Sequence, residues 1–181
     1  MAESPLTIAN TFIDIAEEHK QKLTPLKLLK LVYFAHGWHL ALTGKPLVNE
    51  AIEAWKFGPV IPSVYHAFKA YRDKCIDGKE SELDMKSEGF NFITPVIEKG
   101  DAKNMRAFLE KVWDVYGTLG AGQLSNLTHQ PDSPWFEVWV NKGGKNRKGT
   151  DIPDDLIQSY FKKKIAKPAT PSTVEQDNGG R

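Results

Sequence analysis

A chain of 181 residues with 40% apolar side chains and five tryptophans is long enough for one packed domain and a tail, and apolar enough for a real core. A formal net charge of +1 excludes a whole-molecule field that would draw in nucleic acid or an acidic membrane. The single cysteine, Cys75, excludes an intramolecular disulfide and a multi-cysteine metal site, which fits a reducing compartment. The N-terminus lacks the charged and apolar regions of a secretory signal. The most apolar stretch, Leu26 to Leu42, carries Lys27, Lys30, His36 and His39, so a membrane span is not expected. The expected protein is soluble and cytoplasmic.

In chain order, Ser4-Pro5 is a cap followed by a first-turn proline, and Ala9, Phe12, Ile13 and Ala16 share one face at helical spacing. This predicts an amphipathic helix ending near Lys20, with Asp14, Glu17 and Glu18 on the opposite face. Thr24-Pro25 repeats the signal, and an apolar pattern runs on to Gly44, where a left-handed residue can close a helix. Its apolar side chains fall at nearly every angle around the axis, the mark of a buried helix. Gly37 within it predicts close approach by a backbone or bulky ring, with Phe34 and Trp38 as the neighbours at hand.

Ile52, Ala54 and Lys56 alternate with Glu53, Trp55 and Phe57, which predicts a short strand broken by Gly58-Pro59. Pro62-Ser63 opens a further helix carrying Val64, Phe68 and Tyr71. Asp73 to Gly100 is polar and reads as a long surface excursion, with Phe90 to Ile93 as a short strand. Met105, Phe108, Leu109, Val112, Trp113 and Tyr116 form one helical face, with Arg106, Glu110, Lys111 and Asp114 elsewhere. A short helix over Ala121 to Gln130 follows, and Ser133-Pro134 gives another cap signal. Lys142 to Thr150 reads as a glycine-rich basic loop and Asp154 to Ile165 as a last helix. The composition from Lys167 onward is that of a disordered tail. The expected architecture is mainly α: a compact helical domain around a buried central helix, with one short extended or β-hairpin segment. Its expected divisions are a domain over 1–141, a basic loop and C-terminal helix over 142–166 packed on it, and a disordered tail over 167–181.

No catalytic constellation stands out. His36 and His39 lie about 60° apart on the central helix, close enough to share a metal. No acidic residue in that helix completes the set, and HGWH is not the HExxH zinc pattern. Cys75 has no activating base marked in the sequence, and no GxSxG elbow is present. GTLGAGQL, from Gly117, lacks the Lys-Ser/Thr of a phosphate-binding loop and follows a helix rather than a strand. Neither a metal nor a cofactor is expected. The cations Lys142, Lys145, Arg147 and Lys148 can touch phosphates, weakly and without reading bases, but clusters like this are usually just solvated. Nucleic acid is therefore not the expected partner. The surplus of aromatics around the central stretch, Tyr33, Phe34, Trp38, Trp55, Phe57, Tyr65 and Phe68, serves a core or a protein-binding hot spot. Trp55 and Tyr65 flank the Gly-Pro break, where a loop-borne surface fits best.

A set of fragments in fixed order gives these features a family. Thr24-Pro25-Leu26-Lys27-Leu28, Lys30-Leu31 and Tyr33 are followed by Gly37-Trp38, Leu42-Thr43-Gly44, Glu53-Ala54-Trp55, Gly58-Pro59-Val60 and Pro62-Ser63-Val64-Tyr65. Leu124-Ser125, Thr128-His129 and Pro134-Trp135 close the series as LS…TH…PW. The chain from Ile8 to Trp139 thereby resembles the Panacea domain, also described as SocA-like or GepA-like.

The resemblance implies a mostly helical, non-enzymatic antitoxin of a bacterial or phage toxin–antitoxin pair, which binds a cognate toxin protein and blocks it. In one branch of that family the antitoxin is also an adaptor delivering the toxin to a cytoplasmic AAA+ protease. Many members lie on prophages, so a phage-encoded inhibitor or a DNA-binding regulator reusing the domain is an alternative. The Asp73 to Gly100 excursion and everything beyond Trp135 depart from the simplest family pattern, and toxin specificity is expected in such parts. Trp55, Tyr65 and His129 are the expected partner-contact residues, and Lys142, Lys145, Arg147 and Lys148 the nucleic-acid contacts under the alternative.

Overall fold

The computed structural model describes residues 2–84, 89, 91–101, 103–147 and 149–166. The tail expected over 167–181 lies outside them. The fold is mainly α, as the sequence predicts, with seven helices and two small sheets among the described residues. Helix α1 spans Pro5–Glu18, with Ser4 Oγ accepting from Leu6 N. Helix α2 spans Pro25–Thr43, begins with Thr24 Oγ1 accepting from Lys27 N and ends at Gly44. Every position of α2 from Leu28 to Gly37 is buried. That run covers about 2.8 turns, so the helix has no solvent face there.

Strands β1 (Ile52–Trp55) and β2 (Gly58–Val60) form an antiparallel hairpin whose register pairs Trp55 with Gly58, leaving Lys56 and Phe57 as a two-residue turn. Gly58-Pro59 therefore continues the sheet where the sequence predicted a break. Helix α3 (Pro62–Phe68) runs into a 3-10 turn, Lys69–Tyr71. A second small hairpin joins β3 (Glu82–Leu83) to β4 (Phe92–Ile93). Helices α4 (Met105–Tyr116) and α5 (Ala121–Thr128) follow, then the short α6 (Pro134–Phe136), which runs into a π-helical turn, Glu137–Asn141. Strand β5 (Thr150–Ile152), unforeseen in the sequence, pairs antiparallel with the free edge of β1. The sheet order is β2-β1-β5. Helix α7 (Asp154–Ala166) lies against α2 and returns Ile157, Tyr160 and Phe161 to the core. No helix among the described residues is long and apolar enough to cross a membrane.

The α2–α7 contact is built on Gly37. A Cβ there would lie 2.2 Å from the ring of Phe161, which is fully buried. The ring that the glycine admits comes from α7, not from Phe34 or Trp38 on its own helix. Phe161 also meets Trp38 edge-on at 5.1 Å, and Trp38 Nε1 donates to Tyr116 Oη at 2.9 Å. Tyr116 in turn stacks on Phe34 at 4.3 Å. Three helices are thus joined through rings with their polar tips paired.

Two polar segments are more deeply built in than the sequence suggests. Arg106, expected on the outer face of α4, has a side chain only 2% exposed. It reaches Asp14 at 2.9 Å, Glu18 at 2.8 Å and Glu110 at 3.2 Å, and donates to Ile97 O at 3.1 Å. The acidic face of α1 is therefore a docking face for α4, and Lys79 adds a second cation to Asp14 at 3.0 Å. The excursion after α3 is pinned to α1 as well. Buried Asn10 donates to Glu80 O and Pro95 O and accepts from Glu80 N, while Thr11 Oγ1 accepts from Ile97 N.

These contacts yield two expected outcomes. Gly37→Ala forces a methyl into the Phe161 ring, and overpacking of this kind costs about 1–3 kcal/mol. Urea unfolding should show a lower midpoint with an unchanged slope. Asp14 is partly desolvated, which alone would raise its pKa, but Lys79 and Arg106 outweigh this and hold it below its ordinary 3.8. Its contribution is then fully present above 3.8 and is lost as pH falls through the lower folded-state value. Between 3.8 and that lower value, the fall of stability with acid should be shallower in Asp14→Asn than in the wild type.

Candidate partner-binding surface

The β1–β2 hairpin is held by side chains that reach its backbone from three directions. From α2, Lys30 Nζ donates to Pro59 O at 3.0 Å. From α5, Ser125 Oγ donates to Phe57 O at 3.2 Å. From α6, Trp135 Nε1 donates to Trp55 O at 2.7 Å. Gly58, between them, has φ +105°, and a Cβ there would sit 2.6 Å from Lys30 Nζ and 2.7 Å from Thr128 Oγ1. Only glycine fits both the backbone conformation and the space. Thr128, His129 and Ser133 tie the clamp together: Thr128 Oγ1 and His129 Nδ1 both donate to Ser125 O, and Ser133 Oγ donates to Thr128 O. The His129 ring lies 3.9 Å from that of Trp135.

Lys30 is the costly member of this clamp. It is fully buried, and desolvation lowers its pKa from 10.5 to about 7. A buried ammonium or amine requires an acceptor, and Pro59 O is the one it has.

The clamp fixes the inner side of the hairpin and leaves the tip outward. Phe57 is 64% exposed, a large apolar ring at the turn. Half-buried Trp55 packs edge-on against Tyr65 of α3 at 4.8 Å, and its Nε1 donates to Glu53 at 2.7 Å. Trp55 also stands between two surface grooves. One, of about 490 Å³, runs between the hairpin, the start of α2 and α3, floored by Leu26, Leu29 and Val60. The other, of about 430 Å³, lies between β1 and the basic loop, with Trp139, Lys145 and Arg147 on its walls.

The residues expected from the sequence are distributed accordingly. Trp55 and Tyr65 are in contact and line the same groove. His129 sits beside Trp135, whose indole binds Trp55 O, so it belongs to the clamp behind the hairpin. Lys145 and Arg147 join the Trp55 groove, Lys142 approaches Glu137 at 3.9 Å, and Lys148 lies outside the described residues. The histidines of α2 have separate partners: His36 Nε2 meets Asp154 Oδ1 at 3.0 Å, and His39 Nδ1 donates to Lys45 O. Sequence reasoning missed Phe57 as an exposed residue and missed Lys56, Lys69 and Arg72 on the groove walls. The alternation of Trp55 and Phe57 ahead of Gly58 was the available signal for an outward-facing tip.

With this geometry in view, comparison with known proteins is direct. The family model described as Antitoxin SocA-like, Panacea domain, matches residues 28–136. The chain belongs to the SocA-like antitoxin family of the Panacea domain. It is 34% identical over 155 residues to Antitoxin SocA of Caulobacter vibrioides (strain NA1000 / CB15N), covering 86% of this chain and 80% of that relative. No solved structure matches the chain. The ordered fragments that carry the resemblance now have a physical meaning. Lys30, Gly58-Pro59, Ser125, Thr128-His129 and Pro134-Trp135 of this Panacea domain are the clamp on one hairpin.

The buried lysine gives this subsection its test. Between about 7 and 10.5 the unfolded chain holds a proton on Lys30 that the folded chain does not, so folding becomes more favourable as pH rises through that window. The stability difference between wild type and Lys30→Met should therefore move in favour of the wild type from pH 7 upward. A difference independent of pH would show that Lys30 keeps an ordinary pKa.

Proposed function

We propose that this protein is an antitoxin that neutralises a toxin protein by direct binding, with the clamped hairpin as the centre of the contact. Membership of an antitoxin family supports the role. The observation that carries the mechanism is the convergence of the family's fragments on one hairpin whose tip exposes Phe57 beside Trp55 and Tyr65. A side chain that no core needs, displayed on backbone whose carbonyls are already fixed, has the properties of an interface anchor. Masking a toxin this way calls for an interface of roughly 1,600 Å² in total, larger than the hairpin tip and taking in the two grooves beside it.

The test is co-expression of this chain with the product of the neighbouring reading frame. Growth should stop with the neighbour alone and recover when this chain is added. A harmless neighbour would remove the antitoxin reading. Truncation of an aromatic anchor costs about 2 kcal/mol or more, roughly 30-fold in affinity. Phe57→Ser and Trp55→Ala should therefore lose rescue, while circular dichroism shows that the fold persists. Immunoblotting of the toxin separates masking from delivery to a AAA+ protease. Masking leaves the toxin level unchanged; delivery lowers it.

A further inference from the structure

The surface around Trp55 also carries a charge pattern that the balanced composition hides. Several cations elsewhere in the fold meet carboxylates: Arg106 and Lys79 on α1, Lys99 on Glu18, Lys103 on Glu3. Around the hairpin they do not. Lys56, Lys69 and Arg72 edge the groove toward α3, while Lys145 and Arg147 edge the one toward the basic loop. None of these five has a carboxylate partner among the described residues. The carboxylate of Glu53 on β1 is engaged by the Trp55 indole. With a formal charge of +1 over the whole chain, this is a local excess. The floor between the cations is apolar: Leu26, Leu29 and Val60, with Phe57 projecting beside them.

From this juxtaposition we infer that the segment seated on the hairpin is an acidic, apolar stretch of the toxin polypeptide, with bulky apolar side chains flanked by aspartate or glutamate. The inference rests on the antitoxin reading and names the chemistry of its contact. Apolar side chains of such a segment fill the grooves on either side of Trp55, and its carboxylates meet the cations at their rims, which sets orientation and speeds encounter. A nucleic acid fits less well. Its phosphates can meet the rim cations but gain nothing from the apolar floor between them.

The test uses the full chain and needs no knowledge of the toxin. A phage-displayed library of random short peptides is selected against immobilised protein, and the enriched peptides are measured by fluorescence anisotropy across a salt series. The same measurement is made on a Lys56→Glu/Lys69→Glu/Arg72→Glu variant, whose changed side chains are all exposed. The expected result is enrichment of Asp and Glu around Phe, Leu or Trp, binding that weakens as salt rises, and a loss of about tenfold or more in the charge-reversed variant. Enrichment without acidic residues, an absence of enrichment, or equal binding by the variant would overturn the inference. Displacement of selected peptides by a mixed-sequence single-stranded oligonucleotide would overturn it in favour of nucleic acid. Rescue from the neighbouring gene's product is scored separately, so an antitoxin that selects no acidic peptide refutes the contact chemistry alone.

Discussion

Burying α2 on every side creates a demand that the rest of the fold answers. Two polar residues, Lys30 and His36, lie in the part of that helix that water does not reach. An unpaired polar group there would cost more than most single contacts return. Lys30 donates to Pro59 O and His36 Nε2 meets the Asp154 carboxylate, while His36 Nδ1 is without a hydrogen-bond partner among the described residues. These bonds fall at the β1–β2 hairpin and at the first turn of α7. The two elements cover opposite ends of the buried run, and each is fixed in position by one polar atom of α2. Gly37, one residue beyond His36, then lets the Phe161 ring seat against the helix backbone. Apolar burial supplies the attraction between these elements, while the polar pairs and the missing Cβ specify where they meet.

The hairpin inherits its rigidity from that arrangement. Three successive odd-numbered carbonyls, Trp55, Phe57 and Pro59, accept from Trp135, Ser125 and Lys30 respectively. A two-stranded hairpin of this length is marginal alone. Here it is bracketed on one edge by β5 and on its backbone by three side chains from three helices. The family match over 28–136 takes in the hairpin and all three donors but stops before β5, the basic loop and α7. The holding device thus lies within the matched stretch. Part of what surrounds the display surface, Lys145 and Arg147 included, lies outside it.

Much of this was legible in the sequence where a local rule and the tertiary structure agree. The caps at Ser4 and Thr24, the all-round apolar pattern of α2, the stop at Gly44 and the apolar face of α4 each follow from spacing and turn chemistry. Other features need a partner that is distant in the chain. Arg106 reads only as a residue off the apolar face of α4, because two of its three carboxylates come from α1, more than eighty residues earlier. Asn10 and Thr11 sit at polar positions of an amphipathic helix, and only the returning excursion reveals why they are buried. Strand β5 is three residues inside a glycine-rich stretch, too short for alternation to register, and it exists because β1 offers an unpaired edge. For His129 the sequence alone does not show that its Nδ1 bonds Ser125 O and its ring meets that of Trp135.

The same contrast separates scaffold from surface among the aromatics. Tyr33, Phe34 and Phe68 are buried and Trp38 is packed on the core, so composition alone would place Phe57 with them. What distinguishes Phe57 is its place at the two-residue turn, held outward because its carbonyl is bonded to Ser125 on the inner side. Fixing the backbone before any partner arrives removes much of the ordering cost that association must otherwise meet. A rigid tip flanked by grooves and unpaired cations is the proposed surface for the toxin contact. The unpaired cations cost the folded chain little while they remain in water. The inferred acidic, apolar segment would supply the carboxylates they lack and the side chains that fill the grooves.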